Sequence, residues 1–127
     1  MRVVFDTYAW VEYLKGSETG IKVQKILESQ ENEIFSSVIT IAEACSKFKR
    51  EGMDENLAYN SIMHLSKIHF INSELAKEAG IFHAEIRKKI KDFGMADCVV
   101  LLTARKLGAK ILTGDPHFKT FKEAILI

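Results

Sequence analysis

The chain has 127 residues, 18 Lys and Arg against 17 Asp and Glu, and a formal net charge of +1. That length fits one domain and buries about two-thirds of the unfolded surface, so folding requires no disulfide or structural metal; kinases, TIM barrels and complete dinucleotide-binding enzymes are too long for it. With 47% apolar residues and one proline the chain is not disordered, and its near-neutral charge excludes a histone-like or coat-type nucleic-acid binder.

Arg2-Val3-Val4-Phe5 is a short apolar run stopped by Asp6, the pattern of a buried strand ending at a carboxylate. Trp10, Tyr13 and Leu14 then fall at helical spacing, predicting a helix over Thr7–Leu14. Lys15 to Gly20 reads as a loop, and Ile21 to Gln30 as a helix with Val23, Ile26 and Leu27 on one face. Glu33–Ser36 predicts a second strand. The helix after it, Val38 to Arg50, carries Val38, Ile41, Cys45 and Phe48 as an apolar stripe and Thr40, Glu43, Lys47 and Arg50 as the polar face opposite, ending at Gly52. Asp54 is the expected N-cap of a helix to about Ser66, with Ala58, Ile62 and Leu65 inward.

Ile68–Ile71 predicts a third strand. Ser73 is the expected N-cap of a long helix whose Leu75, Ala79, Phe82, Ile86 and Ile90 step by four or three. A loop from Lys91 to Met95 leads to a buried helix over Ala96–Leu107, stopped at Gly108. Lys110–Thr113 predicts a fourth strand, followed by a helical turn and an edge strand over Ile125–Ile127. Strands alternating with helices give an α/β fold: a central, mostly parallel sheet of four to five strands flanked by helices in three layers, with residues 1–127 as a single domain.

No stretch reaches the roughly 18 apolar residues needed to span a bilayer, and the N-terminus does not read as a signal peptide. Cys45 and Cys98 lack zinc or disulfide spacing and read as separate buried thiols in a reducing cytoplasm.

In parallel α/β sheets, sites form beyond the C-terminal strand ends, where the strand order reverses. Asp6 ends the first strand. Asp115 follows the fourth, in Thr113-Gly114-Asp115. Asp97 starts the helix feeding that strand, and Glu43 lies in the helix after the second. Each has an ordinary alternative: a helix cap for Asp6 and Asp115, a favourable helix-start charge for Asp97, an i, i+4 ion pair with Lys47 for Glu43. Four acids gathered in one place repel unless a cation holds them. With oxygen donors alone, that cation is Mg²⁺ or Mn²⁺, which suits phosphodiester hydrolysis.

The segments VVFDTYAWVEYL around Asp6, SSVITIAEA around Glu43, MADCVVLLTARKLGAKILT around Asp97 and LTGDPHF around Asp115 together resemble the PIN-domain ribonucleases, specifically the VapC-type toxins of prokaryotic toxin–antitoxin pairs. The order and spacing agree over essentially the whole chain. The resemblance implies an acidic quartet at Asp6, Glu43, Asp97 and Asp115. Asp6 and Asp97 would be direct metal ligands, and Glu43 and Asp115 would act through water, hold a second metal or position the attacking water. Thr113 and Thr7 would hydrogen-bond within the site. It further implies Mg²⁺- or Mn²⁺-dependent cleavage of single-stranded or structured RNA to 5′-phosphate and 3′-hydroxyl ends, a homodimer, and a cognate antitoxin whose tail enters the groove.

Asp92 reads as a solvated loop acid, and His117 as a surface residue outside the site. The basic clusters Lys47, Lys49, Arg50 and Arg87, Lys88, Lys89, Lys91 are candidate phosphate contacts against an equally ordinary role as solvated helix ends. Tyr8 and Trp10 are candidate base-stacking residues against a core or dimer role. A silent PIN-fold regulator bound to an antitoxin is the alternative reading, and the presence of all four acids counts against it. A receiver domain would want an acidic pair at the first strand, and a haloacid-dehalogenase-like phosphatase an acid where Tyr8 stands. Removing four acids from a chain of net charge +1 leaves +5, a basic surround for a concentrated acidic pocket.

Overall fold

The structure, a computed structural model, describes all residues from Met1 to Ile127. Its sheet has five strands, β1 (Arg2–Phe5), β2 (Glu33–Ser37), β3 (Lys67–His69), β4 (Lys110–Thr113) and β5 (Ala124–Leu126), in the order β3-β2-β1-β4-β5. Every pairing is parallel. The chain runs outward from β1 through β2 to β3, then returns to β4 on the other side. The strand order therefore reverses beside β1, and the crevice at its C-terminal end is where such sheets bind ligands.

Six helices cover the two faces: α1 (Thr7–Lys15), α2 (Glu18–Glu28), α3 (Val38–Arg50), α4 (Glu55–Leu65), α5 (Ser73–Ile86) and α6 (Met95–Leu107). The two-residue period of the strands decides which face each side chain serves. Val3, Phe5, Ile34 and Leu112 pack with Trp10, Val23, Phe48 and Ile62 under α1 to α4. Val4, Phe35 and Ile111 point the other way, against Ala79 of α5, Leu101 of α6, and Phe93 and Phe118 from the loops. α6 is buried almost all round, with Cys98 to Leu101, Thr103 and Ala104 inaccessible. That explains its unbroken apolar run. No helix is long and apolar enough to cross a membrane.

Several elements differ from their sequence-based bounds, and capping chemistry accounts for most of the shifts. α2 starts three residues earlier than expected because the Ser17 hydroxyl accepts from the Gly20 amide (2.9 Å), which caps the helix inside the supposed loop. Asn72, not Ser73, caps α5: its side chain accepts from the Leu75 amide at 2.8 Å. α5 ends at Ile86, and residues 87–92 form turns that carry Ile90 back onto the core. α6 begins one residue early, at Met95, with Gly94 as its N-cap. β3 covers Lys67–His69 instead of Ile68–Ile71, and β5 ends before Ile127.

Two burial expectations fail. Leu65 is 42% exposed at the end of α4. On α3 the buried line is Thr40, Ala44 and Phe48, with Cys45 only part-buried. Thr40 thus belongs to the core and not to the polar face, and its hydroxyl has no partner there.

Candidate active site

Asp6 is where β1 hands over to α1. Its backbone amide still donates to Leu112 O of β4, at 3.2 Å, and its Oδ1 accepts from the Ala9 amide at 2.9 Å, capping α1. The side chain is therefore fixed in a nearly closed position, with the residue only 7% exposed. Asp97 is the third residue of α6, and its Oδ2 accepts from the Gly94 amide at 3.2 Å. Asp115 follows β4. Its amide donates to Thr113 Oγ1 (3.0 Å), and its Oδ1 accepts from the His117 amide (2.9 Å), starting the short 3₁₀ turn Pro116–Phe118. Asp6 and Asp115 are thus N-caps, and Asp97, three residues into α6, bonds back to the amide of the N-cap Gly94. These bonds take one oxygen of each and fix its direction. The second oxygen of Asp97 and of Asp115 accepts no bond from the protein, so the structural and the chemical roles coexist.

Glu43 does not pair with Lys47 as an ordinary surface glutamate would. Its Oε1 accepts from Thr7 Oγ1 at 2.7 Å, while Lys47 pairs with Glu51 at 3.2 Å. Thr7 lies one residue past Asp6, so this bond ties α3 to the start of α1. All four acids line one cleft of about 410 Å³ at the C-terminal ends of β1 and β4, together with Thr7, Tyr8 and Gly114. A cavity of about 460 Å³ at the other end of β4, among Arg105, Lys110, Lys122 and Glu123, holds no such group of acids.

The electrostatics bear the mark of crowding. Burial pushes the Asp6 carboxyl up from 3.8 to about 7; a hydrogen bond from Thr113 and the Ala9 amide oppose that, and the charges of Asp97 and Asp115 add to it. Asp97 rises from 3.8 to about 6, again chiefly by burial, with the Gly94 amide opposing and Asp115 and Glu43 adding repulsion. Two carboxyls raised towards neutral pH chiefly by burial, with neighbouring acids adding to it, are unusual outside functional sites.

The donors in this cleft are all oxygen, which suits a hard cation. No three of the acids converge into a ready-made cage. Of the hard cations, magnesium fits that openness best, since it uses one or two carboxylates and keeps most of its waters. Asp6 and Asp97 are the best-fixed ligand candidates, with Asp115 and Glu43 at the rim.

The remaining expectations divide. Thr113 is fully buried and holds both Asp115 and Asp6. Asp92 is exposed and does not line the cleft. His117, which the sequence places outside the site, has Nδ1 3.3 Å from Asp115 Oδ1; only its two-residue spacing from Asp115 hinted at this. Trp10 is fully buried and donates from Nε1 to Ser36 Oγ at 2.8 Å, so it is core and no base contact. Of the basic residues, Lys47 lines a neighbouring cleft with Lys15, which the sequence did not single out. Arg87, Lys88, Lys89 and Lys91 are exposed in the turns after α5 and line neither cleft.

The PIN domain family model matches residues 3–124. No curated protein sequence matches the chain significantly. Among solved structures, a toxin–antitoxin complex from Klebsiella pneumoniae superposes with a TM-score of 0.73 at 19% identity, covering 97% of this chain and 95% of that one. VapC20 of Mycobacterium tuberculosis, described as a sarcin–ricin-loop-cleaving toxin, gives 0.76 at 15% identity over 94% and 95%. VapBC2 of Rickettsia felis, bound to a DNA fragment from its promoter, gives 0.72 at 18% identity over 100% and 98%. At these identities the likeness is one of fold.

Proposed function

Given that this chain belongs to the PIN domain family, we propose that it is a divalent-metal-dependent endoribonuclease acting as the toxin of a toxin–antitoxin pair. The observation that carries the reading is the convergence of Asp6, Glu43, Asp97 and Asp115, from four separate chain segments, on one cleft at the strand-order reversal. The sheet would hold together without acids there, and the raised carboxyls of Asp6 and Asp97 make their company unfavourable for folding. A binding role towards a cation accounts for them.

In this reading Asp6 and Asp97 hold Mg²⁺ or Mn²⁺. When bound, the ion supplies the charge that offsets both the carboxylates and a phosphodiester, and it acidifies water. The protein's own residues fix geometry and protons. The Ala9 and Gly94 amides clamp one oxygen of each aspartate, so the other is presented in a set direction. Asp115, held by the Thr113 hydroxyl and the His117 amide, and Glu43, held by Thr7, sit where a carboxylate can orient an attacking water and receive its proton. No Ser, Cys or His nucleophile is required: water attacks phosphorus, the P–O3′ bond breaks, and the departing 3′-oxygen takes a proton from solvent, which leaves a 5′-phosphate and a 3′-hydroxyl.

Support for an antitoxin partner comes from a similar fold: the Klebsiella pneumoniae structure is a toxin–antitoxin complex. A cognate antitoxin is part of the proposal on that footing, and a homodimer is part of it on the sequence resemblance alone. Induced expression in a bacterial host tests it. Growth arrest with discrete RNA fragments bearing 5′-phosphates is the expected result, abolished by Asp6→Asn. Arrest that persists in that variant, or intact RNA throughout, would overturn the reading.

A further inference from the structure

Tyr8 is a large aromatic residue left 40% exposed two positions after Asp6. Trp10, by contrast, stacks with Phe5 and Tyr13, at 5.1 and 5.9 Å between ring centroids. Tyr8 has no aromatic neighbour, and its hydroxyl makes no hydrogen bond within the protein. One side of its ring rests on the backbone at Gly114. A Cβ at that glycine would lie 2.1 Å from the Tyr8 ring, so the bare backbone between Thr113 and Asp115 is what lets the ring lie there. The ring is thus seated against a fixed strand end, with its other side in solvent.

Its position is the second observation. Tyr8 and Thr7 form the wall shared by two clefts. One is the acidic cleft. The other, of about 300 Å³, runs past Val11 and Glu12 to Lys15 and Lys47. Both lysines pair with Glu51, each at 3.2 Å, and Glu12 lines the same cleft, so its two cations stand against two acids. A chain crossing the site therefore meets the acidic cleft and then an aromatic ring at its wall.

We propose that Tyr8 is a substrate-binding residue: the base of the nucleotide adjoining the cut phosphate stacks on its exposed ring. The assignment rests on the ribonuclease reading and adds a base contact to it. A base stacked on a protein ring has left its own helix, so the substrate is RNA unpaired at the cut, in a loop or single strand. Duplex RNA, whose bases are stacked on one another, offers Tyr8 nothing.

A short single-stranded RNA carrying 2-aminopurine, whose fluorescence is quenched on stacking, tests this with the Asp97→Asn protein in Mg²⁺. Quenching on binding is expected, retained in Asp97→Asn with Tyr8→Phe. With Tyr8→Ala added, the quench disappears and affinity falls about 5- to 150-fold, the range for loss of one stacked base. Tyr8→Leu, which keeps apolar bulk over Gly114, loses the quench too, and it stands in if the alanine variant melts early. Gly114→Ala keeps the tyrosine but displaces its ring, and weakens the quench. Equal quenching and affinity in Tyr8→Leu, or equal affinity for the annealed duplex, would overturn the proposal. Cleavage of unlabelled RNA by the wild-type protein is scored separately. Cutting with a Tyr8-independent quench overturns the stacking role alone, whereas a Tyr8-dependent quench without any cutting overturns the ribonuclease reading alone.

Discussion

Replacing Asp6 by Asn should make the metal-free protein more stable. Burial and neighbouring acids raise this carboxyl from 3.8 to about 7. At about 1.36 kcal/mol per tenfold change, the ionised side chain destabilises the fold by about 4 kcal/mol above pH 7. The sign follows from the raised value: the penalty is absent below pH 4, grows between 4 and 7, and is constant above. Asn keeps an oxygen for the Ala9 amide and removes the charge, but its NH₂ group is buried with few acceptors, which costs about 1–2 kcal/mol. The net gain at pH 8 is therefore about 2–3 kcal/mol, or on the order of 10 °C in melting temperature for a chain of this size. Thermal melts in EDTA at pH 8 and pH 5 read it. The gain should be large at pH 8 and shrink markedly at pH 5. A variant that melts at or below wild type at pH 8, or a gain that ignores pH, would refute the claim that Asp6 is held charged against its surroundings.

Divalent cations should cancel that advantage. Mg²⁺ at about 100 times its Kd stabilises wild type by about 2.7 kcal/mol and leaves Asp6→Asn unmoved, as melts with and without the ion will show. Because protons compete for Asp6 and Asp97, RNA cleavage at subsaturating Mg²⁺ should rise from pH 5.5 to 8 in steady-state rates; a flat profile would contradict their role as ligands. Thr7→Val removes the donor to Glu43, and it should lower cleavage about tenfold or more while changing unfolding free energy by no more than about 1 kcal/mol. Gly20→Ala should destabilise by about 1–3 kcal/mol in denaturant melts, since its Cβ would lie 2.1 Å from Glu12 O, where α2 crosses α1.

The parallel sheet and the four acids were legible because both are written in local pattern. Apolar runs such as Val3-Val4-Phe5 and Ile111-Leu112 are short and end at polar residues, and helical spacing fills the gaps. What sequence could not weigh was competition for the same side chain. The i, i+4 rule pairs Glu43 with Lys47, yet the fold brings Thr7 to Glu43 and leaves Lys47 to Glu51. Thr40 looks polar in a one-dimensional pattern and is buried because α3 turns that side to the core. Trp10 and Tyr8 are two residues apart and indistinguishable as stacking candidates until one is found inside the core beside Ser36 and the other at the rim over Gly114. Caps misled by single positions, as at Asn72 and Ser73, because either side chain satisfies the first-turn amides and tertiary context chooses. Likewise, Asp6 and Asp115 cap their helices as the ordinary reading expects, yet capping uses one oxygen of a carboxyl that has two, so it does not by itself decide against a ligand's role.

The most direct test of the account is the cleavage of a single-stranded RNA by purified, antitoxin-free protein in Mg²⁺, compared with EDTA and with the Asp97→Asn variant under identical conditions. The account predicts cutting to 5′-phosphate ends in Mg²⁺ alone, with none in EDTA and none by the variant. Cleavage that survives chelation, or that survives the loss of Asp97 at saturating Mg²⁺, would contradict it.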